Sequence, residues 1–191
     1  MDVCGIDPGI GITGYAIVRA HAEGTRVMDA GICRSDRTAK LPQRLIQLQA
    51  DIESVIARWQ PQVVCIEQLY AHYKHPRTAI LMGHARGVII AAVARAGIEV
   101  RSYASTQVKR SLTGNGRASK SQMQRAIAAT LGLAVIPEPA DVADALAVAL
   151  CGLRGFQFSD FRFHMETSAP HRLNSEISNL KPEIRRVKAP S

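Results

Sequence analysis

DVCGIDPGIGITGYAIV, residues 2–18, decides the fold. Residues 2–7 form a strand-like apolar run that ends on an acid, Asp7. Pro8, Gly9 and Gly11 then supply a bend, and from Ile12 to Val18 the chain reads as strand again. Two strands on a tight turn make an antiparallel pair. A third strand is expected over Thr25–Arg34. Next, Leu41, Leu45, Leu48, Ile52, Val55, Ile56 and Trp59 recur at steps of three and four, one face of a helix, with Pro61 marking its exit. The run VVCI that follows, residues 63–66, is short, β-branched and apolar throughout, as a strand covered on both faces would be. It ends on Glu67.

A long helix is expected from about Arg77 to Arg95. Its second half, GVIIAAVA, is apolar almost all round and needs cover on two sides. A second copy of the chain could supply that cover, since Gly83 and Gly87 permit close approach; a Phe-rich tail is the other source. Then come a strand, GIEVRSY, a short helix over Thr106–Leu112 and the loop TGNGRASK. The next helix opens near Ser119, which makes a capping box with Gln122. The last core helix, DVADALAVALCGL, follows Pro137 and Pro139. Strands first, then helices alternating with strands, indicate an α/β fold, a mixed sheet with helices packed on it. Past Arg154 the periodicity fails. Residues 1–154 are therefore expected to form one domain. Residues 155–191 read as a tail that starts with Phe156, Phe158, Phe161 and Phe163 and turns polar, partly disordered or ordered by a partner.

A chain of 191 residues is long enough for one proper core. No uninterrupted apolar run, Val88–Ala94 among them, comes near the ~20 residues of a membrane span. The opening MDVCGIDPG carries an acid where a signal peptide would be basic, so a cytoplasmic protein with no membrane contact is expected. Cys4, Cys33, Cys65 and Cys151 show no CxxC spacing and read as reduced core thiols. The formal charge of +8 favours a polyanionic partner. From Arg101 to Arg125 there are six basic residues and no acid, which is either a nucleic-acid footprint or a solvated face.

Four carboxylates need a reason. Asp7 and Glu67 stand where buried strands emerge, the end of an α/β sheet where sites are usually built; serving the turn, or plain exposure, would also explain each. Asp141 and Asp144 are three apart on one helical face. The helix dipole accounts for Asp141 near the helix start. Asp144 lies among Ala143, Ala145, Leu146, Ala147 and Val148, where an unpaired charge is expensive. Convergence of all four on divalent cations would resolve the difficulty. Magnesium takes carboxylate and phosphate oxygens, and two ions about 4 Å apart can hold both oxygens of a phosphoryl displacement.

The strings GIDPGIGITGYAIV, IEQLY, HARGV, VKRSLTGNGRASKSQMQ and ADVADALAVAL, in this order, resemble the RuvC family of Holliday junction resolvases over roughly residues 1–153. The resemblance implies a ribonuclease H-like fold with helices on both faces of the sheet. It implies a homodimer that nicks two opposed strands of a four-way DNA junction in recombination and repair, and it implies magnesium, two ions per site. It implies catalytic and metal-binding roles for Asp7, Glu67, Asp141 and Asp144, and DNA contacts by Tyr70, Lys109, Lys120, Arg117 and Arg77. Tyr70 would stack on an unpaired base; a core or surface tyrosine is the plain alternative. The family also implies RuvA and RuvB as partners. A non-catalytic junction-binding module is the rival function.

Overall fold

The computed structural model describes residues 1–69, 76–135 and 137–166, with residues 157–166 as backbone alone. Five strands make one sheet: β1 (Asp2–Asp7), β2 (Ile12–His21), β3 (Gly24–Arg34), β4 (Val63–Glu67) and β5 (Glu99–Tyr103). Their order is β3-β2-β1-β4-β5. The first three strands are antiparallel neighbours, while β4 and β5 run parallel to β1. β1 is thus central, and it is buried from Asp2 to Ile6.

The period of two sorts the side chains of β1 and β4 onto two faces. Cys4, Ile6, Val64 and Ile66 join one core with Leu48, Ile52 and Ile56 of α1 (Leu41–Trp59) and Ala85, Ile89 and Val93 of α2 (Pro76–Arg95). Val3, Val63 and Cys65 point the other way. They join Val108 and Leu112 of α3 (Ser105–Thr113), Ile127 of α4 (Lys120–Leu131) and the buried run Ala145–Cys151 of α5 (Ala140–Glu166). Helices on both faces of a mixed sheet in this order form the expected ribonuclease H-like fold.

Local signals act at the expected places. Ser119 caps α4 and Gln122 answers it in a capping box. All four cysteines are buried and free.

Two expectations need correction. The last helix does not stop near Leu153 but runs to Glu166. Loss of amphipathic periodicity does not end a helix in the absence of a breaker, and the first proline after Pro139 is Pro170. Phe156 also holds the extension, with the Arg101 guanidinium 3.6 Å from its ring centre. The boundary expected at 154/155 therefore falls inside a helix. Residues 167–191 and the side chains of Phe158, Phe161 and Phe163 lie outside the described residues. Second, α2 is long and apolar enough, by length and composition, to cross a membrane, although its longest uninterrupted apolar run is short. It packs on the sheet through Ala85, Ile89, Ala92 and Val93, while Ile80, Gly83, Gly87 and Ala91 are exposed.

Candidate active site

β1 and β4 pair in parallel with Gly5 beside Cys65 and Ile6 beside Ile66, so the next step of the register sets Asp7 beside Glu67. Both acids fall on the α5 face, because each lies two residues beyond a position that faces α5, Gly5 and Cys65. The helix reaches them through two glycines. A Cβ on Gly5 would lie 2.2 Å from the Ala145 carbonyl oxygen, and one on Gly14, the β2 partner of Asp7, would lie 2.0 Å from that of Asp141. Backbone thus rests on backbone, and the first turns of α5 bring Asp141 and Asp144 to the strand ends.

The electrostatics report this convergence. Burial pushes the Asp7 carboxyl up to about 7, and the charges of Glu67, Asp144 and Asp141 push it the same way. Glu67 is raised chiefly by burial and further by Asp144; a hydrogen bond from the Ser105 hydroxyl and the charge of Lys109 oppose the rise. Asp144 is raised chiefly by loss of water and also by Asp141, with Lys120 and Lys109 opposing.

Asp144 differs from expectation in one respect. Its neighbours are buried, yet the residue itself is exposed, because it faces a gap between the sheet end and α3 and α4 and not the core. Lys109 and Lys120 line the same gap without pairing with Asp144, and their charges act on it through space, which its own helix does not provide.

Two recesses meet at Glu67. One, of about 270 Å³, is bordered by Glu67, Ser105, Lys109, Lys120 and Asp144. The other, of about 560 Å³, is bordered by Asp7, Pro8, Glu67, Leu69, Met82 and Ser105 among others. Lys109 and Lys120, expected as DNA contacts, therefore stand at the acidic centre itself. Arg117 is exposed in the loop before α4, and Arg77 is exposed on the first turn of α2, two residues before Ala79 of the larger recess. Tyr70 lies outside the described residues. Of the basic stretch, Arg101 stands apart: it is paired with Glu99 at 2.7 Å.

Sequence reasoning does not single out Ser105 or Arg86. Arg86 donates from Nε to the Glu67 carbonyl oxygen at 3.4 Å and from a terminal nitrogen to Ser102 Oγ at 2.6 Å, which braces the end of β4 against β5. The turn after Asp7 is braced as well. Thr13 Oγ1 donates to the Gly9 carbonyl oxygen at 2.6 Å and accepts from the Gly9 N–H at 3.1 Å.

Among the described residues, no three His, Cys, Asp or Glu side chains are gathered closely enough to hold an ion as they stand. Four carboxylates whose charges oppose one another would be drawn in by a cation, and an all-oxygen donor set suits a hard divalent one. The residue types fit such a metal.

The raised Asp7 has a consequence for stability. The unfolded chain releases this proton near pH 4, whereas the folded protein keeps it to about 7. The folded state thus binds more protons between those values, and stability falls as pH rises from about 4 to about 7 and then levels off. In metal-free buffer the melting temperature is expected to drop over that range, and Asp7→Asn should remove much of the drop. A parallel pH profile for the variant would count against the coupling.

A sequence model described as Crossover junction endodeoxyribonuclease RuvC matches residues 3–152. The crossover junction endodeoxyribonuclease RuvC of Rhodopirellula baltica is 49% identical over 150 residues, 78% of this chain and 84% of that protein. Among solved structures, Thermus thermophilus RuvC is similar with a TM-score of 0.78 at 30% identity, over 83% of this chain and 97% of that one. The same protein in complex with Holliday junction substrate gives a TM-score of 0.76 at 30% identity, over 83% and 96%. With the family match running from β1 into the first half of α5 and the four acids at the sheet end within it, the chain belongs to the RuvC family of crossover junction endodeoxyribonucleases.

Proposed function

We propose that this protein resolves four-way DNA junctions by magnesium-dependent hydrolysis of two opposed phosphodiester bonds, in recombination and repair in the bacterial cytoplasm. The observation that carries the reading is the placement of Asp7, Glu67, Asp141 and Asp144 at one sheet end, facing Lys109 and Lys120. Those four acids would hold the metal, two ions per site. Bound there, it would supply charge for the attacking and leaving oxygens of the displacement.

The remaining work falls to the chain's own groups. Lys109 and Lys120 neutralise phosphate at the mouth of the smaller recess. The Ser105 hydrogen bond orients Glu67 and favours its charged form against the burial that raises it, and Arg86 fixes the backbone from which Glu67 projects. Arg117 and Arg77 extend the basic surface, and Tyr70 stacks on an unpaired base at the junction centre. The exposed side of α2, with Gly83 and Gly87, serves a two-fold homodimer. Such a dimer presents two acidic centres to the junction and so makes the nicks symmetric. RuvA and RuvB are the partners that the family implies, and residues 1–154 make up the body of the nuclease domain, with α5 carrying on into residues 155–166.

The test is a synthetic four-way junction incubated with the protein and magnesium. Paired nicks at symmetric positions are expected. In excess chelator cutting should stop while binding, which rests on the basic surface, persists. Cutting undiminished by the chelator would overturn the metal mechanism, and binding without cutting in magnesium would leave only a junction-binding module.

A further inference from the structure

The turn that follows Asp7 carries a second basic group. Gly11 has no side chain, and a Cβ there would lie 3.8 Å from a terminal nitrogen of Arg44 and 3.9 Å from two nitrogens of Arg37. Two guanidiniums therefore converge on one bare patch of backbone. Arg44 is locked in place. Its Nε donates to Ser35 Oγ at 3.1 Å and a terminal nitrogen donates to the Ile10 carbonyl oxygen at 3.1 Å, the same oxygen to which the Ser35 hydroxyl donates. Arg37 is exposed. None of the ion pairs among the described residues involves either arginine. The neighbouring acid, Asp36, accepts from the Thr38 N–H and hydroxyl at 2.8 and 2.7 Å; the Arg44 charge acts on it through space, without an ion pair. Two like charges directed at one place repel one another, and an anion between them would relieve the repulsion.

The sheet order gives that anion a direction. Asp7 and Glu67 stand at the ends of the third and fourth strands in the order β3-β2-β1-β4-β5. Lys109, on the helix after β5, flanks them on one side. Arg37 and Arg44, against the turn between β1 and β2 and beyond the end of β3, flank them on the other. From β3 to β5 is four strand spacings, roughly 19 Å, and each strand of a duplex carries a charge about every 3.4 Å of its axis. A DNA arm crossing the sheet end thus presents phosphates to both flanks.

We propose that Arg37 and Arg44 form a phosphate clamp on the β3 side of the acidic centre, gripping the DNA backbone opposite Lys109 and Lys120. The clamp rests on the nuclease reading above and adds a binding surface to it. With the fork of Arg44 fixed and that of Arg37 free, one arginine sets the position of a phosphate and the other closes on it.

Junction affinity measured in chelator between 50 and 200 mM salt tests the clamp. Arg37→Ala should make the log–log salt dependence shallower by about 0.9, the value of one phosphate contact, and Arg37→Ala with Arg44→Ala by about twice that. Thermal melting checks that the double variant is folded; the single variant decides the matter if it is not. The comparison is Arg26→Ala, which removes the same charge at the opposite end of β3, where Arg26 is exposed and paired with Glu23; its slope should match the parent. A parental slope in Arg37→Ala, or an equal loss in Arg26→Ala, overturns the clamp. If the parent binds and cuts junctions while Arg37→Ala keeps its slope, the clamp fails and the nuclease stands; a parent that neither binds nor cuts removes both.

Discussion

Asp7→Asn is expected to give a folded protein that still binds a four-way junction but cuts it at least about a thousandfold more slowly. Asparagine nearly matches aspartate in shape, so the turn through Pro8 and the pairing with Gly14 can persist. What disappears is the charge at the point where Glu67, Asp141 and Asp144 all make themselves felt. Metal-borne stabilisation of transition-state charge is worth several kcal/mol, and about 4 kcal/mol corresponds to roughly a thousandfold in rate. Binding draws on Lys109, Lys120 and the surrounding basic surface, which the substitution does not touch. Single-turnover cutting at saturating protein, beside a gel-shift titration in chelator, separates the two quantities. Cutting within tenfold of the parent would mean that Asp7 serves only the turn. The same variant should be the more stable protein without metal, since the crowding that raises Asp7 is relieved. A residue that costs stability and confers activity is the pattern expected of a functional site.

Much of this centre is legible in the order of residues along the chain. Counting by two along Val3, Gly5, Asp7 and along Val63, Cys65, Glu67 places both acids one step past an inward-facing position, and a spacing of three puts Asp141 and Asp144 on one helix face. Those are local periodicities, and local geometry preserves them. The strand order is not local, because nothing in residues 63–67 states that they pair with β1 and not with β3. For the same reason the lysine charges that act on Asp144 are hidden from the sequence: Lys109 and Lys120 belong to helices that meet α5 only through space. Ser105 carries a faint signal, a small hydroxyl residue opening a helix at the strand-terminal end of the sheet, while Arg86 has none beyond its place in HARGV. The full length of α5 is not legible from amphipathic period, because helix ends are set by breakers and caps. Arg37 and Arg44 are silent in sequence, since their charges look scattered until Gly11 brings them together.

Gly5→Ala should be among the most damaging single changes available, although it adds one carbon. Glycine is depleted in strand interiors because it packs nothing and costs backbone entropy, so its place in the central strand calls for a cause. The cause is the approach of α5: the added Cβ would meet the Ala145 carbonyl oxygen at 2.2 Å, the Ala149 nitrogen at 2.4 Å and the Ala149 Cβ at 2.7 Å. Two of these atoms are helix backbone, so no rotamer change relieves the clash and the helix itself must lift. Overpacking of this kind costs ~1–3 kcal/mol and more where the backbone cannot yield, and the first half of α5 is held down by buried Leu146, Val148 and Leu150. A loss of about 3 kcal/mol is expected, or roughly 6–12 °C in melting temperature for a domain of this size. The same substitution at Gly83, where a Cβ meets nothing of its own chain within 4 Å, should change the stability of the single chain by no more than about 1 kcal/mol, in the stabilising direction that helix propensity sets. Function should fall further than stability for Gly5→Ala. A lifted α5 carries Asp141 and Asp144 away from Asp7 and Glu67, so cutting should be poor even at temperatures where circular dichroism shows the protein folded. Chemical denaturation of the two variants, with single-turnover cutting at 20 °C, reads both effects. If Gly5→Ala unfolds within 0.5 kcal/mol of the parent and cuts normally, the close seating of α5 on β1 is not what assembles the acidic centre.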